Sequence, residues 1–183
     1  MEGLMMGSRC GSIDPGILLY LQREQGATAK ALEHIPEHES GLKGISELSG
    51  DMRPILQASM QGNDRAQLAL DLYIYRIRCY LGAMIAALEG IDVLTFTGGV
   101  GEHGPYIREH VCHGFGFLGL ALNEGKNAAA SGDQGQLYCM GAGHAYGGRV
   151  GNCPRLLADE GSMKEGKDVP QAVIWIGTMD TAA

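Results

Sequence analysis

A glycine cluster directly after an apolar run is the strongest sign of chemistry in this chain of 183 residues. The segment FTGGVGEHGP, residues 96–105, joins a β-favouring run to a predicted helix. Glycines let backbone N–H groups approach a phosphate closely, and a helix N-terminus adds partial positive charge. The segment is neither a GxxxxGK[ST] phosphate loop nor a GxGxxG dinucleotide fingerprint, and such clusters are also common as tight turns. Three roles are open for Glu102 and His103 at its end: contact with a nucleotide, a cap for the next helix, or exposure to solvent.

Arg9, Asp51 and Arg53 could supply further contacts to an anion. Arg9 lies between small residues in MMGSRCGSIDPG, where a guanidinium can clamp a phosphate or a carboxylate through two parallel hydrogen bonds. Asp51 and Arg53 form a second charged pair in the run SGDMRP. Each has an ordinary alternative, since Arg9 fits a solvated loop, Asp51 fits a helix cap and Arg53 fits an exposed charge.

Composition excludes several other classes of function. The net charge is −7 without any basic block, so we expect neither a nucleic-acid partner nor an anionic-membrane anchor. The start lacks the pattern of a signal peptide, no apolar run is long enough to span a bilayer, and we expect a cytoplasmic protein. No metal site is predicted, because the histidines have no HExxH spacing and the five cysteines, read as reduced thiols, form no CxxC pair.

Helices around one buried strand are the elements that must position these residues. Asp14 and Pro15 predict a helix start, Pro36 predicts the end of a second helix, and Asn63 precedes the most periodic segment. The predicted helices span about 14–25, 28–34, 64–89, 105–114 and 124–130, the predicted strand spans 92–97, and 115–122 is strand or extended. Residues 39–54 are predicted to form a structured loop. The alternation predicts an α/β layer over residues 1–130.

The composition changes at about residue 131. Glycine becomes frequent and the apolar periodicity disappears, so residues 131–183 are predicted to be a divergent and largely irregular Gly-rich tail. The run 172–176 alone is typical of a strand there, and it has no clear partner. We interpret the tail as sequence that does not belong to this fold, through a frameshift or a wrong join.

Four segments in this order together resemble the acetate kinase family. They are EGLMMGSRCGSIDPG, SGLKGISELSGDMR, GNDRAQLALDLYIYRIRCYLGAMIAAL and DVLTFTGGVGEHGPYIREHVCHGFGFLGLALNEGKN, and they cover about residues 1–130. The resemblance implies an α/β fold, the C-terminal domain of the actin-like ATPase (ribonuclease H-like) fold. It also implies reversible transfer of the γ-phosphoryl of ATP to acetate, with magnesium, to give ADP and acetyl phosphate.

The resemblance also implies roles for individual residues. Arg9 matches the family arginine that binds the acyl phosphate and is the implied catalytic residue. The implied nucleotide contacts are Ser49, Asp51, Met52 and Arg53 around adenosine, and Gly98, Gly99, Val100, Gly101, Glu102 and His103 around the phosphates and adenine. Ser12 and His103 depart from the family, which has Asp and Asn at these positions.

Parts of the family pattern are not matched in this chain, namely its N-terminal half and its acidic segment near magnesium. We therefore expect an incomplete metal site and a chain that is inactive alone. The expected partners are a second copy, since the family dimerises through this domain, or a separate N-terminal half. A propionate or butyrate kinase, and a non-catalytic nucleotide-binding or dimerisation module, stay open as alternatives.

Overall fold

The computed structural model describes residues 2–91, 93–130, 137–141 and 173–177, which fall in two compact units, Met1–Ile77 and Arg78–Ala183. The helices are α1 Pro15–Gln25, α2 Ala29–His38, α3 Gly41–Ser46, α4 Met52–Met60, α5 Asp64–Ala87, α6 Gly98–His103, α7 Pro105–His113 and α8 Glu124–Ala129. The strands are β1 Val93–Thr97, β2 Leu120–Ala121, β3 Leu137–Gly141 and β4 Val173–Gly177. We call the two units the first unit and the second unit.

Local signals set several helix ends where the sequence predicts them. The carboxylate of Asp14 accepts a hydrogen bond from the Gly16 N–H at 2.7 Å at the start of α1, and Gly26 ends that helix with a φ of 64°. The side-chain oxygen of Asn63 accepts from the Ala66 N–H at 2.9 Å, which caps α5. Asn123 caps α8 in the same way. These predictions are confirmed, as is the helix after Pro105.

The segment between residues 36 and 54 differs from the prediction. Pro36 lies inside α2 instead of ending it; its ring is buried, which offsets the hydrogen bond that proline cannot donate. The predicted loop contains α3 and the start of α4. The first amides of α3 donate to carbonyls distant in sequence, Leu42 N–H to Met6 at 3.0 Å and Lys43 N–H to Gly7 at 2.8 Å. Periodicity cannot reveal such a helix, because its ends are satisfied by tertiary contacts.

The core of the first unit is built around one face of α5, as predicted from its periodicity. Complete burial of a side chain such as Leu70 contributes about 1.5–3 kcal/mol. Among the described residues, no helix is both long enough and apolar enough to cross a membrane. The buried residues of this unit include Met5, Leu42, Met52, Ile55, Ala66, Ala69, Leu70, Tyr73, Ile74 and Ile77.

The described strands form one sheet in the second unit, in the order β2-β3-β1-β4. The central strand β1 pairs antiparallel with β3, Leu94 opposite Cys139, and parallel with β4, Leu94 opposite Ile174. Leu94 and Phe96 are buried, as expected of a central strand.

The strand predicted at 172–176 is present as β4, but three other expectations about strands were wrong. That strand has a partner, β1; β3 was not predicted; and a 3₁₀ turn at Gly116–Leu118 with the two-residue β2 replaces most of the extended segment at 115–122. Strand partners distant along the chain leave no local signal, which explains the first two errors. The described residues do not include 131–136, 142–172 and 178–183. The predicted irregularity of the tail lies in these segments and stays a prediction.

Candidate functional site

The opening segment of the first unit folds as a narrow hairpin with Gly7 and Ser8 at its tip and Arg9 directly after them. The Gly3 N–H donates to Ser12 Oγ at 2.9 Å, and the Ser12 N–H donates to the Gly3 carbonyl at 3.0 Å. Nearer the tip, the Met6 N–H donates to the Arg9 carbonyl at 3.0 Å. Gly11 has a φ of 69°, and a Cβ there would lie 2.5 Å from the Gly3 carbonyl oxygen. The hairpin therefore requires glycine at this position.

Helix α3 holds the tip of this hairpin from one side. The Ser40 N–H donates to the Ser8 carbonyl at 2.9 Å. Gly41 has a φ of 62°, and a Cβ at this position would collide with the Met6 carbonyl oxygen and lie 2.7 Å from that of Arg9. A side chain at position 41 would push the tip away, so this glycine fixes where Arg9 lies.

A contact between two glycines brings the second predicted loop against the hairpin. A Cβ on Gly7 would lie 2.7 Å from the Gly50 carbonyl oxygen, and a Cβ on Gly50 would lie 3.0 Å from that of Gly7. Two backbones can approach this closely only where both residues lack side chains. Two of the sequence-predicted groups, Arg9 and residues 49–53, are thus brought together within the first unit.

Residues 49–53 form a chain of local hydrogen bonds that starts α4. Ser49 Oγ accepts from the Asp51 N–H at 3.0 Å, and Asp51 Oδ1 accepts from the Arg53 N–H at 2.9 Å. The Arg53 guanidinium also donates to Asp51, Nε to Oδ2 at 3.1 Å and Nη2 to Oδ2 at 2.5 Å. The Met52 side chain is buried in the core. The loop therefore presents Arg53, whose side chain is 89% exposed, in a direction fixed by Asp51.

The two charges of this pair perturb each other. Hydrogen bonds from the Arg53 side chain, and next from its backbone N–H, lower the pKa of Asp51 below the ordinary value of 3.8. The pKa of Arg53 is raised by its hydrogen bond to Asp51. Asp51 is thus held as a carboxylate that caps α4.

Arg9 differs from Arg53 in having no such partner. Its side chain is half-buried, and within the described part of the first unit no hydrogen bond or ion pair engages its guanidinium. All of its donors are therefore available to an anion at the hairpin tip.

In the second unit, the predicted glycine loop is a helix. Residues 98–103 form α6, directly after β1, and the Gly98 N–H donates to Glu102 Oε1 at 3.0 Å. Glu102 thus caps its own helix, whereas the sequence suggested a nucleotide contact, a cap for the following helix or solvent. This bond satisfies one of the free amides at the helix start and offsets the low helix propensity of its glycines. His103 is exposed and Gly101 is buried.

Sequence reasoning missed Arg108, whose guanidinium is buried beneath α6. Its Nη1 donates to the carbonyls of Gly101 and Glu102, each at 2.8 Å. Its Nε donates to Asn127 Oδ1 at 2.7 Å, and its Nη2 donates to the Asn127 carbonyl at 2.8 Å. The available signal was a charged residue on the apolar face of α7, beside the buried Ile107.

The structure thus places the predicted residues in two groups, one in each unit. The hairpin and residues 49–53 form the first group, and α6 forms the second. Across the described residues, no cluster of three or more His, Cys, Asp or Glu side chains could hold a metal ion. Cys10 and Cys79 are free thiols.

Comparisons with known proteins assign this arrangement to a family. A sequence model of the acetokinase family matches residues 1–140. The acetate kinase of Rippkaea orientalis is 56% identical over 128 residues, which are 70% of this chain and 32% of that protein. The chain therefore spans about a third of the length of such curated relatives.

Solved structures of the same kind share the fold. The acetate kinase of Porphyromonas gingivalis superposes with a TM-score of 0.72 at 32% identity, covering 97% of this chain and 38% of that one. A propionate kinase from Francisella tularensis gives 0.65 at 28% identity, covering 70% and 33%. The α/β fold is therefore that of acetate kinases. Since the family match includes well over half of the residues, the chain belongs to the acetokinase family.

Proposed function

We propose that this chain supplies nucleotide and acyl-phosphate contacts for an acetate kinase, which transfers a phosphoryl group reversibly between ATP and acetate. The observation that carries the proposal is the contact between Gly7 and Gly50, which joins the Arg9 hairpin to residues 49–53. The contact places the backbone segments that carry Arg9 and Arg53 beside each other, and within the described part of the first unit no carboxylate pairs with Arg9. Such an arrangement suits an anionic substrate.

Arg9 is the proposed catalytic residue. Phosphoryl transfer passes through a transition state with charge spread over the phosphoryl oxygens, so catalysis depends on positioning and electrostatic stabilisation. The unengaged guanidinium of Arg9 offers a planar fork that matches those oxygens. The hairpin and Gly41 restrict where that fork can lie.

Ser49, Asp51, Met52 and Arg53 are the proposed contacts to adenosine. Arg53 would make its contact with an exposed side chain that Asp51 orients. Met52 would contribute through its backbone, because its side chain belongs to the core.

The proposed nucleotide contacts of the second unit are Gly98, Gly99, Val100, Gly101 and His103. Gly99 and His103 are exposed, whereas Gly98 and Val100 are half-buried, so the first two present the most surface to a nucleotide. The Gly98 N–H already donates to Glu102, and Gly101 is buried.

Magnesium, which the family implies, would neutralise phosphate charge during transfer. The described acidic residues near the proposed contacts do not fit it. Both oxygens of Asp51 accept hydrogen bonds from Arg53, and Glu102 Oε1 accepts from Gly98. We assign no magnesium ligand among the described residues.

The finer assignments belong to the same proposal. We assign residues 1–130 to the C-terminal, nucleotide-binding domain of the actin-like ATPase fold and residues 131–183 to a divergent tail, although the family match extends to residue 140. We further assign the chain to the cytoplasm and expect it to act as a homodimer or with a separate N-terminal half.

Complementation tests the proposed activity. The chain would be assayed for acetyl phosphate formation alone, and after mixing with the part of the Rippkaea orientalis acetate kinase that it does not span. We expect saturable Mg-ADP binding by the chain alone and phosphoryl transfer only in the mixture. Arg9→Ala should lower the rate in the mixture by about 100-fold or more. The matched control is Arg23→Ala, which removes an exposed arginine from α1. Equal rates for both variants would contradict the role of Arg9.

The propionate kinase neighbour favours one alternative, a different acyl acceptor. The same mixture, assayed with acetate, propionate and butyrate, decides it through the ratio of kcat/KM values. Mg-ADP binding without transfer of any of the three would instead favour a non-catalytic nucleotide-binding module.

A further inference from the structure

Arg108 is among the largest fully buried side chains of the described residues, and the proposed contacts with substrate do not include it. We infer that Arg108, together with Asn127, is a positioning residue that holds α6 in the geometry needed for nucleotide contact. The inference deepens the proposed function and rests on it.

The first side of this clamp is the C-terminal end of α6. The last carbonyls of a helix have no partner within the helix, and here those of Gly101 and Glu102 both accept from Arg108 Nη1 at 2.8 Å. A cation at this end is also favoured by the helix dipole. The guanidinium therefore supplies what a longer helix would obtain from a C-terminal cap.

The second side of the clamp is α8. Asn127, which is 3% exposed, accepts from Arg108 through both its side-chain and its backbone oxygen. The Asn127 side chain also donates to the Pro105 carbonyl at 3.0 Å, at the start of α7. One planar, rigid group thus joins three helices, and these four hydrogen bonds fix the distances and angles among them.

Helix α6 needs such support because its own sequence provides little. Three of its six residues are glycines, Gly98, Gly99 and Gly101, and each lowers helix stability by about 1 kcal/mol relative to alanine. The amides that would face a nucleotide are therefore placed by tertiary contacts and not by local propensity. Loss of the clamp should loosen these amides, and binding to a loosened site costs the ordering of α6.

The test uses the full chain with Arg108→Lys and Asn127→Ala, and with Val111→Ala as the control. Lysine keeps the charge but cannot span the carbonyls of α6 and Asn127 together. Val111 is fully buried on the same helix, so its truncation lowers stability without removing a hydrogen bond. Amide hydrogen exchange over residues 98–103 measures how firmly α6 is held. Calorimetric titration with Mg-ADP measures the nucleotide affinity that depends on the position of α6.

We expect both clamp variants to accelerate exchange over 98–103 and to weaken Mg-ADP binding by about tenfold, or ~1.4 kcal/mol. Val111→Ala should leave both quantities near those of the parent chain despite a comparable fall in Tm. If Arg108→Lys does not fold, Asn127→Ala decides the question, because it retains the arginine. Unchanged exchange in the folded clamp variants, or equal acceleration in Val111→Ala, overturns the inference. If the parent chain does not bind Mg-ADP, the proposed function is overturned instead. The exchange data alone then still show whether Arg108 and Asn127 hold α6 in place.

Discussion

At the scale of single residues, Asp51 combines a helix cap with an ion pair. Its carboxylate accepts from the Arg53 backbone and side chain at the start of α4. We expect Asp51→Ala to lower the free energy of unfolding by about 1 kcal/mol near neutral pH, as for other N-cap residues. Asp51→Asn should cost less, because its side-chain oxygen can still cap the helix. Urea denaturation of the three proteins measures both differences, and equal losses would contradict the capping role.

The lowered pKa of Asp51 predicts how this contribution depends on pH. Since the pKa is lower in the folded state than the ordinary 3.8, the contribution is fully present above that value. It is lost as the pH falls through the folded-state pKa. The stability difference between the parent chain and Asp51→Asn should therefore be largest near neutral pH and shrink as the pH falls below 3.8 and through the folded-state pKa. A difference that stays constant over this range would mean that the charge of Asp51 adds nothing. Because the Arg53 side chain is 89% exposed and that of Asp51 is 42% exposed, the effect should be small and weaker in high salt.

Gly41 and Gly26 form a natural pair for testing close packing at the hairpin. Their φ angles are 62° and 64°, so alanine meets the same backbone strain of about 1–2 kcal/mol at either position. A Cβ at Gly26 meets nothing within 4 Å, whereas at Gly41 it meets the carbonyls of Met6 and Arg9. Gly41→Ala should therefore lose at least ~1 kcal/mol more, by overpacking. It should also weaken nucleotide-dependent activity in the complemented assay, and Gly26→Ala should not. Thermal unfolding that ranks the two variants equally would exclude the predicted collision.

At the scale of elements, local signals and distant contacts divide what the sequence can predict. Asp14, Asn63 and Asn123 mark helix starts because the side chain and the amides that it caps are neighbours in sequence. The helical state of 41–46 depends on carbonyls of Met6 and Gly7, which no local pattern contains. The residues of the candidate site could be chosen by resemblance, but the Gly7 contact that joins two of its segments could not.

Arg108 illustrates the same limit for a side chain. A charge on an apolar helix face is detectable in the sequence, but its partners Gly101 and Asn127 lie on α6 and α8. The burial of a guanidinium becomes intelligible only when those acceptors are known, because each of its donors requires one.

The pairing of β4 with β1 gives a prediction for the C-terminal segment. In the sheet order, β1 has neighbours on both sides and β4 has one described neighbour. Among the strands of this sheet, we expect the amides of 93–97 to exchange most slowly. The amides of 173–177 should also be protected from exchange, but less than those of 93–97. Hydrogen exchange with peptide-level resolution measures both. Exchange of 173–177 at the rate of an unstructured peptide would contradict the parallel pairing and favour a tail foreign to this fold.

At the scale of the whole molecule, α1 leaves apolar surface for association. The helix has no buried residue, and its Ile17, Leu19 and Tyr20 side chains are 51%, 65% and 52% exposed. We expect the chain to form dimers or larger species, detected by light scattering coupled to chromatography, because exposed large apolar side chains favour self-association. Leu19→Lys should shift the distribution towards monomer without loss of stability. The control is Met60→Lys, at an 80% exposed methionine of α4, which should change neither the distribution of oligomers nor the stability. A monomeric parent chain would contradict this expectation.

The contact between Gly7 and Gly50 also bears on how this protein can change over generations. At most packed positions, a larger residue can be accommodated if its neighbour becomes smaller. Here each residue already has the smallest possible side chain, and what blocks a Cβ is the backbone carbonyl of the other. No substitution at one position can therefore rescue a substitution at the other. In a library that randomises both codons, the only well-folded members should encode glycine at both positions. The two loops therefore constrain each other's sequence.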